Sequence, residues 1–178
     1  VYPHGCTEQI TSQTFPAVLL AAQPGVAEQL QKMSQQGAQG IKAPDARKTL
    51  ERYLAQVRAR QSADGGVAMW PGGPSDLFAT TYVVNLLVEA RERKFAVPND
   101  LLQRANVYLQ TRIAEATSQD TNWRTQAQAA YLLTRQGVVT TAALTNLHET
   151  LRQREALRHD LGAVYLAASF QLLKQERQ

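Results

Sequence analysis

Cysteine is almost absent from the sequence, because Cys6 is the one thiol among 178 residues. A lone cysteine excludes an internal disulfide framework and any metal site built from several thiolates. We also expect no metal and no cofactor. No apolar run approaches the length that a membrane-spanning helix needs. The excess of one charge over the other is also small: 19 basic and 15 acidic residues leave a net charge of +4, and the basic residues form no blocks. This charge pattern is too weak to indicate a nucleic-acid partner.

Strand-like alternation of apolar and polar residues is nearly absent, whereas Ala, Leu, Gln, Arg and Glu are abundant. These residues are good helix formers, so the sequence predicts an all-helical protein, with one domain over residues 1–178. A first helix is expected over 6–22, bent or interrupted at Pro16, and a short helix within 27–36. Later helices are expected to be opened by Asp45, by Ser75 or Asp76, by Pro98, by Thr121 or Asn122, by Thr140 or Thr141 and by Asp160.

Residues 61–74 are rich in glycine and proline and cannot be helical, which predicts a structured loop. Trp70 lies in this loop and is the residue expected to anchor it. Both Trp70 and Trp123 are predicted to be core residues, because a tryptophan is more often a packing anchor than a ligand-stacking residue.

From Ser75 onward, helices that are apolar around most of their circumference alternate with helices that are apolar on one face only. The apolar helices begin about 40 residues apart, which is a period typical of helical pairs. This alternation predicts an α/α toroid, in which an inner ring of buried helices is wrapped by an outer ring of half-exposed ones. A superhelical solenoid of stacked helical pairs is the alternative, because it repeats at the same period.

The segment Gly5-Cys6-Thr7-Glu8-Gln9 places a thiol and a carboxamide three residues apart, which is one turn of a helix. A thiolate at a helix start is favoured by the free backbone N–H groups there. Cys6 could therefore attack the Gln9 carboxamide, expel ammonia and leave an internal thioester. Such a thioester is an activated acyl group, which an amine or a hydroxyl could take over.

The residues from Tyr2 to Gln9 closely resemble the GCxEQ thioester motif of the alpha-macroglobulin and complement superfamily, and the YP-x-GC form resembles the bacterial alpha-macroglobulins. Two further segments, 15–18 and 73–84, resemble helices of the same proteins. The resemblance implies the family's α/α toroid. Because the family domain is longer than this chain, we expect an incomplete ring with inner-ring surface left exposed, and a chain that is a piece of a larger protein.

Carried across by the motif, Cys6 is the sulfur donor and Gln9 supplies the acyl carbon, while Gly5 and Glu8 match the remaining motif positions. The resemblance implies a single-use protease inhibitor and no enzyme: an attacking protease triggers a rearrangement, and a lysine amine of the protease is acylated. Water would destroy an open thioester, so a shield is needed. Tyr2 is the candidate within this chain, and other domains of the full-length protein are expected to supply the rest.

The resemblance also implies a role in bacterial defence, in the periplasm or at the cell surface, with the full-length protein anchored to the inner membrane as a lipoprotein. A cell-wall synthesis enzyme is a further partner that the family suggests. Some complement members carry a histidine that redirects the acyl group to hydroxyls. Between Ile113 and Gln128 this sequence has no histidine and offers Glu115, Asp120 and Asn122 instead. We therefore expect direct attack by amines.

Three other interpretations are open. A Cys/His hydrolase would use Cys6 with a base drawn from His4, His148 or His159, although no local motif supports it. His4 itself is either a solvated turn residue or a proton acceptor for Cys6. A helical-repeat binding module would use its groove and not Cys6. A lipid-processing enzyme of toroid architecture rests on fold analogy alone.

Overall fold

The computed structural model describes residues 5–21 and 45–175, together with residues 23, 25, 26, 28, 29 and 32. The predicted helix within 27–36 lies largely outside the described residues, as do Tyr2 and His4. Seven α-helices make up most of the described ranges: α1 (Thr7–Ala21), α2 (Ala46–Arg58), α3 (Leu77–Glu92), α4 (Asn99–Ala114), α5 (Trp123–Arg135), α6 (Thr141–Leu151) and α7 (Leu161–Gln175). A 3-10 helix (Glu155–His159) precedes α7. In these ranges no helix combines the length and apolarity needed to cross a membrane.

The predicted helix starts are confirmed at the residues whose side chains cap them. Asp45 accepts hydrogen bonds from the backbone N–H groups of Arg47 and Lys48, and Asp76 accepts one from Ala79 at 2.7 Å. Thr140 caps α6 in the same manner, through the N–H of Ala143. Each cap satisfies one or two of the backbone donors that a helix leaves free in its first turn.

The first helix is not interrupted at Pro16, although the sequence predicted a bend or an interruption there. It runs from Thr7 to Ala21 with Pro16 inside it. Pro16 has no N–H to donate to the carbonyl of Ser12. Both residues lie on the exposed face of the helix, so water can bind the carbonyl that is left free.

The helices form two layers, as the alternation of apolar and amphipathic helices predicted. The odd-numbered helices pack on one another in chain order, α1 on α3, α3 on α5 and α5 on α7. The even-numbered helices cover them: α2 packs on α1, α4 lies against α3 and α5, and α6 lies against α5 and α7. This is an arc of an α/α toroid. On α7, the last inner helix, Leu161 and Val164 are exposed, which agrees with an inner ring that is incomplete.

The loop between α2 and α3 contains two short antiparallel strands, β1 (Val67–Ala68) and β2 (Ser75–Asp76), which the sequence did not predict. The prediction that Trp70 anchors this loop is wrong, because the Trp70 side chain is 51% exposed. Asp64 holds the loop instead, since its Oδ1 atom accepts hydrogen bonds from the Gly66 N–H and the Ser75 hydroxyl. Trp123, in contrast, is buried as predicted.

The expectation that α3 is buried nearly all round holds for its core face but not for its first turn. Phe78 is 43% exposed and stacks on Tyr82 with ring centroids 5.9 Å apart. Tyr82 stacks in turn on Phe15 of α1 at 5.4 Å. These three rings form a stack at the surface between α1 and α3, where their aromatic faces are covered by one another and their edges meet solvent.

Two tyrosine hydroxyls form hydrogen bonds of the same length to hydroxyls of α1, one in the buried core and one at the surface. Tyr53 of α2 meets the Thr11 hydroxyl at 3.0 Å in the core, and Tyr82 of α3 meets the Ser12 hydroxyl at 3.0 Å in an exposed position. We predict that Tyr53→Phe lowers the free energy of unfolding by about 1 kcal/mol, because a buried donor is lost, and that Tyr82→Phe changes it by less than about half of that.

Urea denaturation of both variants and of the wild type measures the difference. Equal values for the two variants would show that the Tyr53 bond does not hold α1 in place.

Candidate functional site

The start of α1 carries the motif residues, and the backbone around Cys6 is fully bonded. The carbonyl of Cys6 accepts the first helical bond, from the N–H of Ile10 at 3.0 Å, so Cys6 is the cap residue of α1. The N–H of Cys6 donates to Oε1 of Gln9 at 3.1 Å. A glutamine that reaches back from the third helical position to the N–H of the cap residue is one half of a capping box. In this arrangement the ordinary requirements of a helix start bring the Gln9 carboxamide back to Cys6.

This capping contact has a chemical consequence. The donor to Gln9 Oε1 is the amide of the same residue that carries the thiol, and Cys6 is half-buried. A hydrogen bond to the carbonyl oxygen withdraws electrons from the carboxamide carbon and would stabilise the oxyanion that forms when a nucleophile attacks that carbon. The structure thus brings the Gln9 carboxamide to the backbone of Cys6, and the reaction between the two residues stays a prediction.

Thr7 fixes the start of α1 to the loop between α2 and α3. Its side chain is fully buried, and its hydroxyl lies 2.6 Å from the Ala68 carbonyl and 3.1 Å from the Met69 carbonyl. Its backbone N–H donates to the Met69 carbonyl at 2.9 Å. The first turn of α1 is thus bound to β1 through the Thr7 side chain and to the residue after β1 through the Thr7 backbone, and this attachment fixes the position of Cys6.

Gly5 is buried directly before Cys6, and a side chain there would crowd Gln9 and Ile10. A Cβ atom at this position would stand 3.3 Å from Cβ and from Oε1 of Gln9, and 3.3 Å from Ile10 Cγ2. The glycine of the motif thus leaves room for the glutamine side chain to fold back. Glu8, the remaining motif residue, is exposed and points away from the buried face that holds Thr7.

Arg60 also contacts the motif, which the sequence analysis did not foresee. Its side chain is buried, and its Nη2 atom donates to the Gly5 carbonyl at 3.1 Å. Arg60 lies seven residues after Tyr53 and three residues after Val57 of α2, so it continues the apolar stripe of that helix. A charged residue at the end of an apolar stripe was the signal in the sequence that could have identified it.

The acidic and amide residues expected near the reactive pair line a polar cavity of about 400 Å³. Asp120 accepts hydrogen bonds from the Thr117 N–H and the Gln126 amide, which hold the pKa of its carboxyl below the usual range. Glu115 forms an ion pair with Arg112. The cavity also borders β2, whose Ser75 is paired with Ala68 of β1, the residue that binds the Thr7 hydroxyl. The cavity therefore lies one strand away from the start of α1.

The histidines do not support a Cys/His pair in the part of the chain that the structure describes. His148 of α6 packs edge-on against Phe170 and lies 3.9 Å from Glu149. His159 is exposed at the end of the 3-10 helix. No contact joins either imidazole to Cys6, and His4 and Tyr2 lie outside the described residues. Within the described ranges, no group of three or more His, Cys, Asp or Glu residues is arranged to hold a metal ion.

Comparison with known proteins relates the chain to one group. It is 33% identical over 178 residues to the alpha-2-macroglobulin homolog of Yersinia pestis and 30% identical over 177 residues to the alpha-2-macroglobulin of Rickettsia conorii. These alignments cover 98% and 97% of the chain, but only 8% and 9% of the two relatives. The chain thus spans less than a tenth of each of these proteins. No protein-family model matches it.

Solved structures of bacterial alpha-2-macroglobulins have the same fold. The native Escherichia coli protein, solved from domain MG7 to the C-terminus, superposes with a TM-score of 0.74 at 25% identity, over 97% of this chain and 27% of that one. The Salmonella protein that was solved after reaction with methylamine superposes with a TM-score of 0.74 at 26% identity, over 97% of this chain and 11% of that one.

The attachment of Thr7 generates a prediction about stability. Thr7→Val keeps the shape of the side chain but leaves the Ala68 carbonyl without its hydroxyl donor, and we expect it to lower the free energy of unfolding by about 2 kcal/mol. Thr7→Ser keeps the hydroxyl and removes one buried methyl group, at a cost of about 1 kcal/mol. Denaturation curves of the two variants provide the comparison. A serine variant less stable than the valine variant would contradict the role given to the hydroxyl.

Proposed function

Because the chain belongs to the alpha-2-macroglobulin family, we propose that it is the thioester domain of a protease inhibitor, with Cys6 and Gln9 as the cross-linked pair. The observation that carries this proposal is the return of the Gln9 carboxamide to the amide of Cys6 at 3.1 Å. The Salmonella relative that was solved after reaction with methylamine supports it, because methylamine is an amine of the kind that opens a thioester.

The first step of the proposed chemistry is the formation of the bond. The Cys6 thiolate attacks the Gln9 carboxamide carbon, the C–S bond forms, the C–N bond breaks, and the nitrogen leaves as ammonia after taking up a proton. An amide is a poor acyl donor in water, so the step depends on a fixed geometry, with an effective molarity on the order of 10⁵ M or more. The Cys6 N–H would hold the oxyanion during this attack.

In the second step an amine opens the bond. The nitrogen attacks the acyl carbon, the C–S bond breaks, the electron pair goes to the sulfur, and the proton lost by the amine passes through solvent to the sulfur. The products are an amide at position 9 and a free thiol at Cys6. In the whole protein, we propose that the amine is a lysine of the attacking protease and that further domains, with Tyr2, exclude water until the attack. A periplasmic or cell-surface location, with a lipid anchor at the inner membrane, remains part of this proposal.

A chemical test follows from the fate of residue 9, because each history of the protein leaves a different residue there. Unreacted protein has glutamine at position 9, a thioester that water has opened leaves glutamate, and a thioester that methylamine has opened leaves N-methylglutamine. We predict that methylamine converts position 9 of the wild type to N-methylglutamine and releases one thiol, and that Cys6→Ala keeps glutamine there. Peptide mass spectrometry with a thiol titration measures both.

Gln13 is a matched internal control, since it is exposed on the next turn of α1 and has no cysteine three residues before it. It should remain glutamine under all conditions. Gln9→Glu is the matched variant: its carboxylate can still accept from the Cys6 N–H and cap the helix, but it has no ammonia to expel. Unmodified glutamine at position 9 in the wild type before and after methylamine, with a titratable thiol throughout, would show that Cys6 and Gln9 act only as a helix cap.

The second part of the proposal is a preference for amines. Asp76, Glu115 and Asp120 line the polar cavity that lies one strand away from the start of α1, and among the described residues no imidazole lines it that could take over an acyl group and pass it to a hydroxyl. We predict that methylamine is incorporated at Gln9 at least about tenfold faster than glycerol at equal concentration, because an amine is the stronger nucleophile. Mass spectrometry after parallel incubations measures the ratio. Comparable incorporation of glycerol would contradict the preference.

A further inference from the structure

Arg60 is a buried cation next to the reactive segment. Its side chain is 93% buried, since its exposed fraction is 7%. Its Nη1 atom donates to the Gln56 carbonyl at 2.9 Å and its Nη2 atom to the Gly5 carbonyl at 3.1 Å, while its Nε atom is buried without a partner. Carbonyl oxygens satisfy the hydrogen bonds of a guanidinium but do not neutralise its charge. Burial of a charge without a counterion is destabilising, so an uncompensated arginine at this place needs an explanation.

The groups around Arg60 leave one candidate for the counterion. Burial lowers the pKa of Arg60, and Cys6 and Tyr53 act in the opposite direction because both are anionic when deprotonated. Burial also raises the pKa of Tyr53 well above its usual range, so its phenol is neutral at physiological pH. Glu8 on α1 is exposed, and in the described residues no carboxylate forms an ion pair with Arg60. Cys6 directly follows Gly5, whose carbonyl Arg60 binds, and in the described part of the chain it is the remaining group there that can carry a negative charge.

We propose that Arg60 is the positioning residue that supplies the countercharge of the Cys6 thiolate, both when the thioester forms and when an amine opens it. The inference rests on the proposed function, because it assigns a role within that chemistry. During formation, the sulfur begins as an anion and loses its charge as the C–S bond forms. During opening, the electron pair of the breaking C–S bond returns to the sulfur, and the negative charge appears beside Arg60. In a site shielded from water, a nearby cation stabilises that charge more than it would in solution.

Arg60 has a structural contact as well, so the test must separate charge from hydrogen bonding. Arg60→Lys and Arg60→Gln both keep an N–H donor that can reach toward the Gly5 carbonyl, and only the lysine keeps the positive charge. Arg58→Gln is the matched control: Arg58 lies two residues earlier, is exposed, and pairs with Asp100 at 2.6 Å instead of contacting the motif.

The readout is the rate at which the Cys6 thiol reacts with an anionic alkylating reagent relative to a neutral one. It is measured in the Gln9→Ala background, which has no carboxamide at position 9, so the thiol is free. Iodoacetate is an anion and iodoacetamide is neutral, and otherwise they react by the same displacement at carbon. A cation beside the sulfur favours the anionic reagent. We expect Arg60→Gln to lower the ratio of the iodoacetate rate to the iodoacetamide rate by about fivefold, and we expect Arg60→Lys and Arg58→Gln to leave it within about twofold.

The same substitutions in the wild-type background should show a slower release of thiol by methylamine for Arg60→Gln and near-normal release for Arg60→Lys. An unchanged reagent ratio in Arg60→Gln would overturn the inference, and so would an equal loss in the glutamine and lysine variants, which would assign Arg60 to hydrogen bonding alone. These results are independent of the proposed function. If residue 9 of the wild type is unmodified glutamine before and after methylamine, the thioester proposal fails. The ratio of the iodoacetate rate to the iodoacetamide rate still reports the charge beside Cys6.

Discussion

The hydrogen bond from the Cys6 N–H to Gln9 Oε1 is the interaction on which the account of this domain depends. In an ordinary helix the same bond is a capping contact, in which a glutamine side chain satisfies the free N–H of the cap residue. With cysteine as the cap residue, that contact brings the Gln9 carboxamide back to the residue that carries the thiol and places a donor on the oxygen of the carbon that the proposed reaction attacks. One local geometry therefore serves both the stability of α1 and the chemistry proposed for it.

The surrounding structure keeps this helix start in a fixed place. Thr7 binds it to β1, Tyr53 holds Thr11 one turn further along, and Arg60 binds the carbonyl of Gly5. These contacts come from the loop after α2 and from α2 itself, whereas α3 supports the other side of α1. The proposed reaction between Cys6 and Gln9 needs a fixed geometry, which a mobile helix start would not provide. The two-layer arc supports the segment 5–9 through these contacts.

The sequence allowed the helix starts and the layers to be predicted, because both depend on local signals. Aspartate and threonine cap a helix where they precede a periodic apolar segment, as Asp45, Asp76 and Thr140 do. The alternation of buried and half-exposed helices follows from the extent of each helix's apolar face. The contact between Gln9 and Cys6 follows from their spacing of three residues, which is a local property, and the thioester between them stays a prediction. The spacing alone does not specify which bond the two residues form, and the resemblance to the alpha-macroglobulin family implies that it is a thioester.

Two of the features that were missed depend on contacts between distant segments. Arg60 lies 54 residues after Cys6 in the sequence, and its place at the end of an apolar stripe indicates that it is buried but not that it reaches the Gly5 carbonyl. Trp70 was expected in the core because of its size, but Asp64 and Thr7 provide the hydrogen bonds that hold its loop, so the indole is left exposed. Phe78 was missed for a local reason, because its ring stacks at the surface on Tyr82, four residues later in α3. Tertiary contacts decided the positions of Arg60 and Trp70.

The most direct test of the central claim is the intact mass of the freshly purified chain, measured before any amine is added and compared with the masses of Cys6→Ala and Gln9→Glu. The account predicts a wild-type mass lower by one ammonia than its sequence requires, no titratable thiol, and full sequence masses for both variants. A wild-type mass equal to that of the sequence, with glutamine at position 9 and a titratable Cys6, would contradict it.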